Sequence, residues 1–251
     1  MQNNKVKIDG KVSIITPTYN SEKFVLNTIH SVLNQTYTNW EMLIVDDCST
    51  DRTVELVNGL NEPRIKLILQ ENNCGAAMAR NRAIEEADGE FFAFLDSDDS
   101  WRIDKLEKQI HFMRENNYDF TSTHYEHVNE EGISTGTITK ARERLDYNGL
   151  LKYCPGNSTV IYNAKNLGVF FIPDIKRRND FVMWLQVIKK AKYNYGLLEP
   201  LTYYQVREGS LSSNKKTLIK YQWRVYREIE KLSLVKSLYL LLHKIFSVVM
   251  K

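Results

Sequence analysis

Three carboxylates crowd into four positions where an apolar run ends: Glu90–Leu95 reads EFFAFL, and Asp96-Ser97-Asp98-Asp99 follows at once. Carboxylates so close repel one another unless a cation or hydrogen-bond donors lie among them. A hard divalent cation, Mg²⁺ or Mn²⁺, takes oxygen ligands and keeps positions open for phosphate oxygens. Bridging a diphosphate, such an ion neutralises the charge that develops on a leaving group. Asp96 and Asp98, two residues apart, can both face a cavity at that strand end. The bland alternative is that Asp98, Asp99 and Ser100 cap the helix expected over residues 100–116.

Three further clusters carry chemistry of the same kind. Asp46-Asp47 closes a second apolar run, and Asp47, Ser49 and Asp51 compete to cap a helix near Thr53. Asp46 is then left to accept a hydrogen bond from a nucleobase imide, with Tyr19 of Thr16-Pro17-Thr18-Tyr19 either stacking beside that base or simply packing. Gly75 opens a helix whose backbone N–H groups favour phosphate. Arg80 and Arg82 on that helix face a nucleotide or, as the plainer reading of Arg82, solvent.

The elements that position these residues follow from apolar periodicity. Residues 12–16, 40–46, 64–69 and 90–95 read as buried strands, with helices expected at 21–34 (Ser21 as N-cap), 53–60 and 75–87. Such alternation implies a parallel sheet with crossover helices. Ligands collect beyond the carboxyl ends of such strands, where all four polar clusters fall. Further on, residues 118–128 read as a strand, 129–144 as a polar loop, 181–191 as a helix and 197–206 as extended chain.

The chain of 251 residues, 43% apolar and 26% charged, suits one α/β domain with an appendage. Cys48, Cys74 and Cys154 lack the spacing of a disulfide framework or zinc site, which fits a reducing compartment. Residues 1–10 are polar and lack the apolar core of a secretory signal. Residues 215–251 hold nine Lys or Arg against two Glu, a net +7 that leaves the remainder at −4 in a chain of +3. The basic tail points to an anionic surface, and the body shows no extended basic patch for nucleic acid.

The ordered segments VSIITPTYN, LIVDDCSTD and ENNCGAAMARNRAIEEADGEFFAFLDSDD resemble the donor half of a family 2 glycosyltransferase with the GT-A fold, a Rossmann-like mostly parallel α/β sheet flanked by helices. The resemblance covers about residues 10–105 strongly, as a nucleotide-binding half, and continues more weakly through an acceptor half at 106–214. It implies that Thr16, Pro17, Tyr19 and Asp46 hold the base, that Arg80, Asp96 and Ser97 line the nucleotide and ribose, and that Asp98 binds Mn²⁺ or Mg²⁺. Cys48 stands where a glycine is commoner. The family's catalytic base is matched by Asp180 before a helix carrying Trp184, with Asn179 replacing the usual Glu. Asp180 at a helix start beside apolar aromatics suits proton removal from an acceptor hydroxyl; the plainer alternative is that it caps that helix. Trp184 is expected on the acceptor side, and Arg207, in YYQVREGS, near the diphosphate.

The activity implied is inverting transfer from a nucleoside-diphosphate sugar, a UDP-sugar by resemblance, to a saccharide acceptor that is lipid-linked, in bacterial surface polysaccharide assembly. The Leu232–Met250 run places Leu234, Leu238, Leu241, Ile245 and Val248 at helical spacing, with Lys236, His243, Ser247 and Lys251 grouped apart. Charges interrupt it too often for a spanning helix of about 20 apolar residues. A C-terminal amphipathic helix at 215–251 on an anionic membrane is therefore expected, with the 1–214 catalytic domain cytoplasmic and peripheral to the inner face of the plasma membrane; packing on the body is the alternative. A sugar nucleotidyltransferase would carry a Gly-rich basic loop where TPTYNSEKF stands, and an oxidoreductase G-x-G-x-x-G. A non-catalytic carbohydrate-binding domain would not need Asp98 and Asp180 together.

Overall fold

Apolar runs buried on both faces make the first strands. In the computed structural model, which describes residues 6–173, 175, 177–207 and 215–249, β1 (Ile8–Thr18) is followed by α1 (Val25–Leu33), β2 (Trp40–Asp46), α2 (Thr53–Asn58), β3 (Ile65–Leu69), α3 (Ala76–Glu86) and β4 (Gly89–Phe94). β1 pairs in parallel with β2 and β4, and β2 with β3. Alternation along each strand divides the core in two. Ile15, Leu43, Val45, Phe92 and Phe94 pack against α3 on one face, while Ile14, Met42, Ile44 and Ala93 pack towards α1 on the other. Close approach of β4 to β1 demands Gly89, where a Cβ would lie 2.7 Å from the Lys11 carbonyl oxygen.

The second half continues as β5 (Ser100–Trp101), α4 (Lys105–Asn116), β6 (Phe120–Val128), β7 (Ser134–Thr139), β8 (Arg144–Leu145), α5 (Tyr147–Lys152), a 3₁₀ turn at Asn157–Thr159, β9 (Ile161–Asn163), α6 (Ala164–Leu167), α7 (Asn179–Ala191) and β10 (Asn194–Gln205). The sheet runs β3-β2-β1-β4-β9-β6-β10-β5, with β7 beside β6 and β8 beside β10. β9 enters antiparallel between β4 and β6, and β6 and β10 are parallel again.

Three expectations need correction. The helix expected from residue 100 begins at Lys105, because Ser100–Trp101 is used as an edge strand against β10. The polar stretch 129–144 is not a loop throughout: it forms a hairpin with β6, turned by an Asn129 side chain that accepts the Ile133 N–H at 2.8 Å. Ser21 does not cap α1, which starts after Phe24; the Ser21 hydroxyl instead meets that of Ser97 at 2.8 Å.

The tail comprises α8 (Lys215–Arg224), a π-helical turn at Val225–Ile229 and α9 (Leu234–Val249). Tyr226 is fully buried and donates to the Leu151 carbonyl at 2.7 Å, and Leu240 joins the core. The helix therefore does pack on the body. Its opposite face keeps Val235, Leu238, Tyr239, Leu242, Ile245 and Phe246 exposed. Glu208-Gly209-Ser210, Met250 and Lys251 lie outside the described residues, as do the side chains of Ser247 and Val248. No helix among the described residues is long and apolar enough to cross a membrane.

Candidate active site

A cleft of about 530 Å³ opens where β1, β2 and β4 end. Its walls are Pro17, Thr18, Tyr19 and Ser21 after β1, Asp47 after β2, Asn73, Gly75, Ala76 and Arg80 around the start of α3, and Asp96, Ser97 and Asp98 after β4. The far wall comes from the second half: Arg177 to Asp180 at the start of α7, Tyr204 and Arg207 at the end of β10, and Leu218 of α8.

The two acids of the DSD element have different surroundings. Asp96 accepts from Arg80 Nη2 at 2.6 Å and from Asn157 Nδ2 at 2.8 Å. Asp98 meets Arg207 Nε at 3.0 Å. Burial raises the Asp98 carboxyl above its ordinary range and the nearby Asp96 adds to this, with Arg207 opposing. Arg80 is buried. Desolvation works against its charge, yet Asp96, Asp180 and Asp98 around it prevail and raise its pKa. One guanidinium is thus shared electrostatically by three carboxylates.

Asp99 is not a helix cap. Its side chain is buried and accepts from the Ser158 hydroxyl at 2.5 Å and the Gln205 N–H at 2.9 Å. Desolvation, then Asp98 and Asp96, push its pKa well above the ordinary range. Ser158 is a hub: its hydroxyl also receives the Asp96 N–H at 3.1 Å, and its carbonyl accepts from Trp101 Nε1 at 2.8 Å and Thr202 Oγ1 at 3.2 Å.

At the end expected to hold the base, Thr16 and Asp46 are buried and do not line the cleft. Asp46 has a local structural task after all, since it accepts from the Ser49 N–H at 2.8 Å and the Ser49 hydroxyl at 2.5 Å. The Thr16 and Thr18 hydroxyls find no partner within the described protein. They stand on one face of β1, two residues apart, and Thr18 reaches the cleft. Tyr19 is half exposed, so its ring is available as a stacking face.

The Gly75 N–H expected to face phosphate is occupied. Asp47 accepts from the N–H groups of Gly75 and Cys74, each at 2.7 Å, and from Gln70 Nε2 at 2.5 Å. Gly75 is glycine because φ is +86° there, not because anything crowds it. Asp51 supplies the carboxylate at the start of α2, accepting from the Thr53 N–H at 2.9 Å. Arg82 is a solvated helix arginine, paired with Glu85 and Glu86. Cys48 has φ +65°, which is why glycine suits that position.

Asp180 lies in the first turn of α7 and borders the cleft. It is not that helix's cap: Arg178 occupies the cap position, and Asn179 Oδ1 accepts the Asp180 N–H at 2.7 Å. Trp184, one turn on, does not line the cleft. It is fully buried between Phe94, at 4.8 Å between ring centroids, and Phe120, so it is core and not an acceptor wall. Thr18, Asn73, Asn157, Arg177, Arg178 and Tyr204 were not expected at the site. Thr18 and Asn73 carried a sequence signal, as members of polar clusters at strand ends, and Arg177, Arg178 and Tyr204 stand in the segments around Asp180 and Arg207.

Carboxylates from β4 and α7, one of them desolvated, therefore face a common space with arginines set between them. The family model described as Glycosyl transferase family 2 matches residues 13–173, which spans the β1, β2 and β4 ends together. The chain belongs to that family. Over 229 residues it is 43% identical to the putative teichuronic acid biosynthesis glycosyltransferase TuaG of Bacillus subtilis (strain 168), covering 90% of this chain and 91% of TuaG. It is 40% identical over 237 residues to WfgD of Escherichia coli, a UDP-Glc:alpha-D-GlcNAc-diphosphoundecaprenol beta-1,3-glucosyltransferase, covering 93% and 92%. Among solved structures, S. aureus TarS in complex with UDP-GlcNAc superposes with a TM-score of 0.69 at 24% identity, over 94% of this chain and 71% of that one. A Pyrobaculum calidifontis mannosyltransferase in complex with GDP-Man and Mn²⁺ gives 0.68 at 16%, over 93% and 68%. The fold is accordingly the GT-A arrangement expected from the sequence, and the chain is a family 2 glycosyltransferase.

A divalent cation suits what the cleft offers. Asp98 is a partly desolvated carboxylate facing open space. No group of three or more His, Cys, Asp or Glu among the described residues forms a closed cage. A cation bound through one or two carboxylates, with phosphate and water completing its shell, needs none.

Proposed function

We propose that the chain transfers a sugar, with inversion, from a UDP-sugar to a hydroxyl of a lipid-linked saccharide during assembly of a bacterial surface polysaccharide. The observation that carries this reading is that Asp98 and Asp180 border one cleft, with Arg80 feeling both. The names of TuaG and WfgD support the pathway and the acceptor class, and TarS with UDP-GlcNAc supports the donor.

In this mechanism the base sits by Tyr19 and Thr18, with Thr16 and Asp46 shaping the floor beneath Pro17. Arg80, Asp96 and Ser97 place the ribose and phosphates. Asp98 would hold Mn²⁺ or Mg²⁺, which supplies charge neutralisation at the departing diphosphate. Arg207 adds a positive charge at the same oxygens once it releases Asp98. Asp180 accepts the proton of the acceptor hydroxyl as its oxygen attacks the anomeric carbon from the side opposite the diphosphate. Residues 1–214 would form the catalytic domain, with donor half 10–105 and acceptor half 106–214. The 215–251 tail would rest on an anionic membrane surface through the outward apolar side of α9 and its flanking cations, placing the enzyme at the cytoplasmic face.

The deciding experiment incubates the protein with Mn²⁺ and a panel of nucleotide sugars and follows nucleoside diphosphate release. Metal-dependent release from a UDP-sugar supports the reading; no metal-dependent binding or turnover with any donor overturns it.

A further inference from the structure

A second and larger cavity, about 760 Å³, lies between the β6–β7 hairpin, α5 and α9. Its chemistry is one-sided. Lys140, Arg142, Lys152 and Lys244 line it with His243, and no Asp or Glu is among the described lining residues. The contacts of two of these cations are with neutral aromatics: Arg142 lies over the Tyr153 ring at 4.5 Å, and Lys152 donates to the Tyr239 hydroxyl at 3.1 Å. Four cations gathered in a concave site without a carboxylate create a positive potential that attracts anions, and clustered Lys and Arg suit phosphate oxygens.

Two neighbours narrow the ligand. Phe246 both lines the cavity and is 66% exposed, as the last described member of the outward apolar row Val235, Leu238, Leu242 and Ile245. The mouth of a basic pocket thus opens beside an apolar surface. On its inner side the cavity adjoins the donor cleft. Tyr125 of the cavity and Tyr204 of the cleft have ring centroids 5.5 Å apart. Cys154, another cavity residue, has its thiol pushed up to about 12 by burial first and then by the charge of Asp180, with Lys244 acting in the opposite sense. The base and the basic cavity therefore lie within electrostatic reach of one thiol.

We infer that this cavity is the seat of the acceptor's diphosphate: it takes the head of a polyprenyl-diphosphate saccharide, whose lipid leaves past Phe246 along α9 and whose sugar passes Tyr125 towards Asp180. The inference rests on the proposed lipid-linked acceptor and adds to it a site separate from the donor cleft.

The test is titration calorimetry of the full chain with farnesyl diphosphate, with UDP and Mn²⁺ titrated separately. The variant carries Lys140→Gln and Arg142→Gln together, both exposed positions outside the donor cleft. Loss of two charge-assisted contacts should weaken farnesyl diphosphate at least roughly tenfold, with UDP binding unchanged. Farnesol should not bind comparably, and inorganic diphosphate should compete but bind more weakly, which separates a lipid diphosphate from free phosphate. Equal farnesyl diphosphate affinity in variant and parent overturns the inference, and so does binding of phosphatidylglycerol vesicles that inorganic diphosphate and farnesyl diphosphate cannot displace from the cavity. Absence of UDP binding in both proteins would count against the donor reading alone, because the farnesyl diphosphate comparison is read independently. A Lys152→Gln variant gives the same readout from α5 should the double variant fold poorly.

Discussion

Arg207 Nε stands 3.0 Å from Asp98 Oδ2, so the carboxylate best suited to a cation already has a counter-ion from the end of β10. A metal arriving with a diphosphate would displace the guanidinium, which is then free to meet the phosphate oxygens. Arg207→Gln should therefore have opposite effects on two affinities. Binding of Mn²⁺ to the nucleotide-free protein should strengthen, while donor KM should rise roughly tenfold for one lost charge-assisted contact. Equilibrium metal binding and steady-state kinetics measure the two, and parallel weakening of both would contradict this exchange.

Asp180→Asn keeps the shape of the first turn of α7 but removes the carboxylate proposed as proton acceptor. Turnover should fall about 10²–10⁴-fold, the usual share of general base catalysis, with UDP affinity unchanged. Calorimetry beside a UDP-release assay tests the split, and an unaffected kcat would refute the assignment.

The strand ends were legible in the sequence because a buried parallel strand must be apolar throughout, so its polar terminus stands out; β2 runs from Trp40 to Asp46 as expected. What the sequence could not show was which polar residue turns inwards. Asp99 looked like a cap, yet Ser158 from the 3₁₀ turn before β9 and Gln205 from β10 take both its oxygens. Asp46 looked unemployed, but a local turn at Ser49 uses it. Trp184 shares a helix with Asp180 at i+4, which places it near in sequence, while the fold aims it at Phe94. The outcomes at Asp99 and Trp184 depend on long-range partners that no local pattern encodes.

Arg80→Met would leave Asp96 with Asn157 as its remaining side-chain donor. Removing one partner of a largely buried pair exposes the other's desolvation cost, and thermal unfolding should drop by roughly 5–10 °C. Asp96→Asn should cost less, because Arg80 retains the fields of Asp180 and Asp98. The reverse order would argue against Arg80 as the centre of the cluster.

Acid stability should depend on Glu41, far from the cleft. Burial alone would raise its carboxyl, but hydrogen bonds from Asp88, Lys66 and Ser13 hold it down at about 2 against an ordinary 4.5. A carboxyl depressed by folding stabilises the protein above its unfolded pKa and loses that contribution as pH falls through the folded one. Urea midpoints should thus decline between about pH 4.5 and 2 in the parent chain, and the deficit of Glu41→Gln at neutral pH should shrink across that window. A constant difference would exclude this linkage.

The outward row of α9 should govern membrane contact. Leu242, 53% exposed, can become Asp without disturbing the Leu240 face. Co-sedimentation with phosphatidylglycerol vesicles should fall roughly tenfold, since apolar area is lost and a repelling charge gained, while circular dichroism stays the same. Retained sedimentation would mean that the cations act without the helix.

Ser158 ties together Asp96, Asp99, Trp101 and Thr202. This has a consequence for recombining relatives. An exchange made near residue 105 would separate both acids from the turn that fixes them, whereas a junction after Asn163 keeps Asp96, Asp99, Trp101 and Ser158 in one parent and divides them only from β10. Such a junction also leaves the β6, β7 and α5 walls of the basic cavity with the donor cleft, and a hybrid joined near residue 105 should lose affinity for a donor whose own contacts were left untouched.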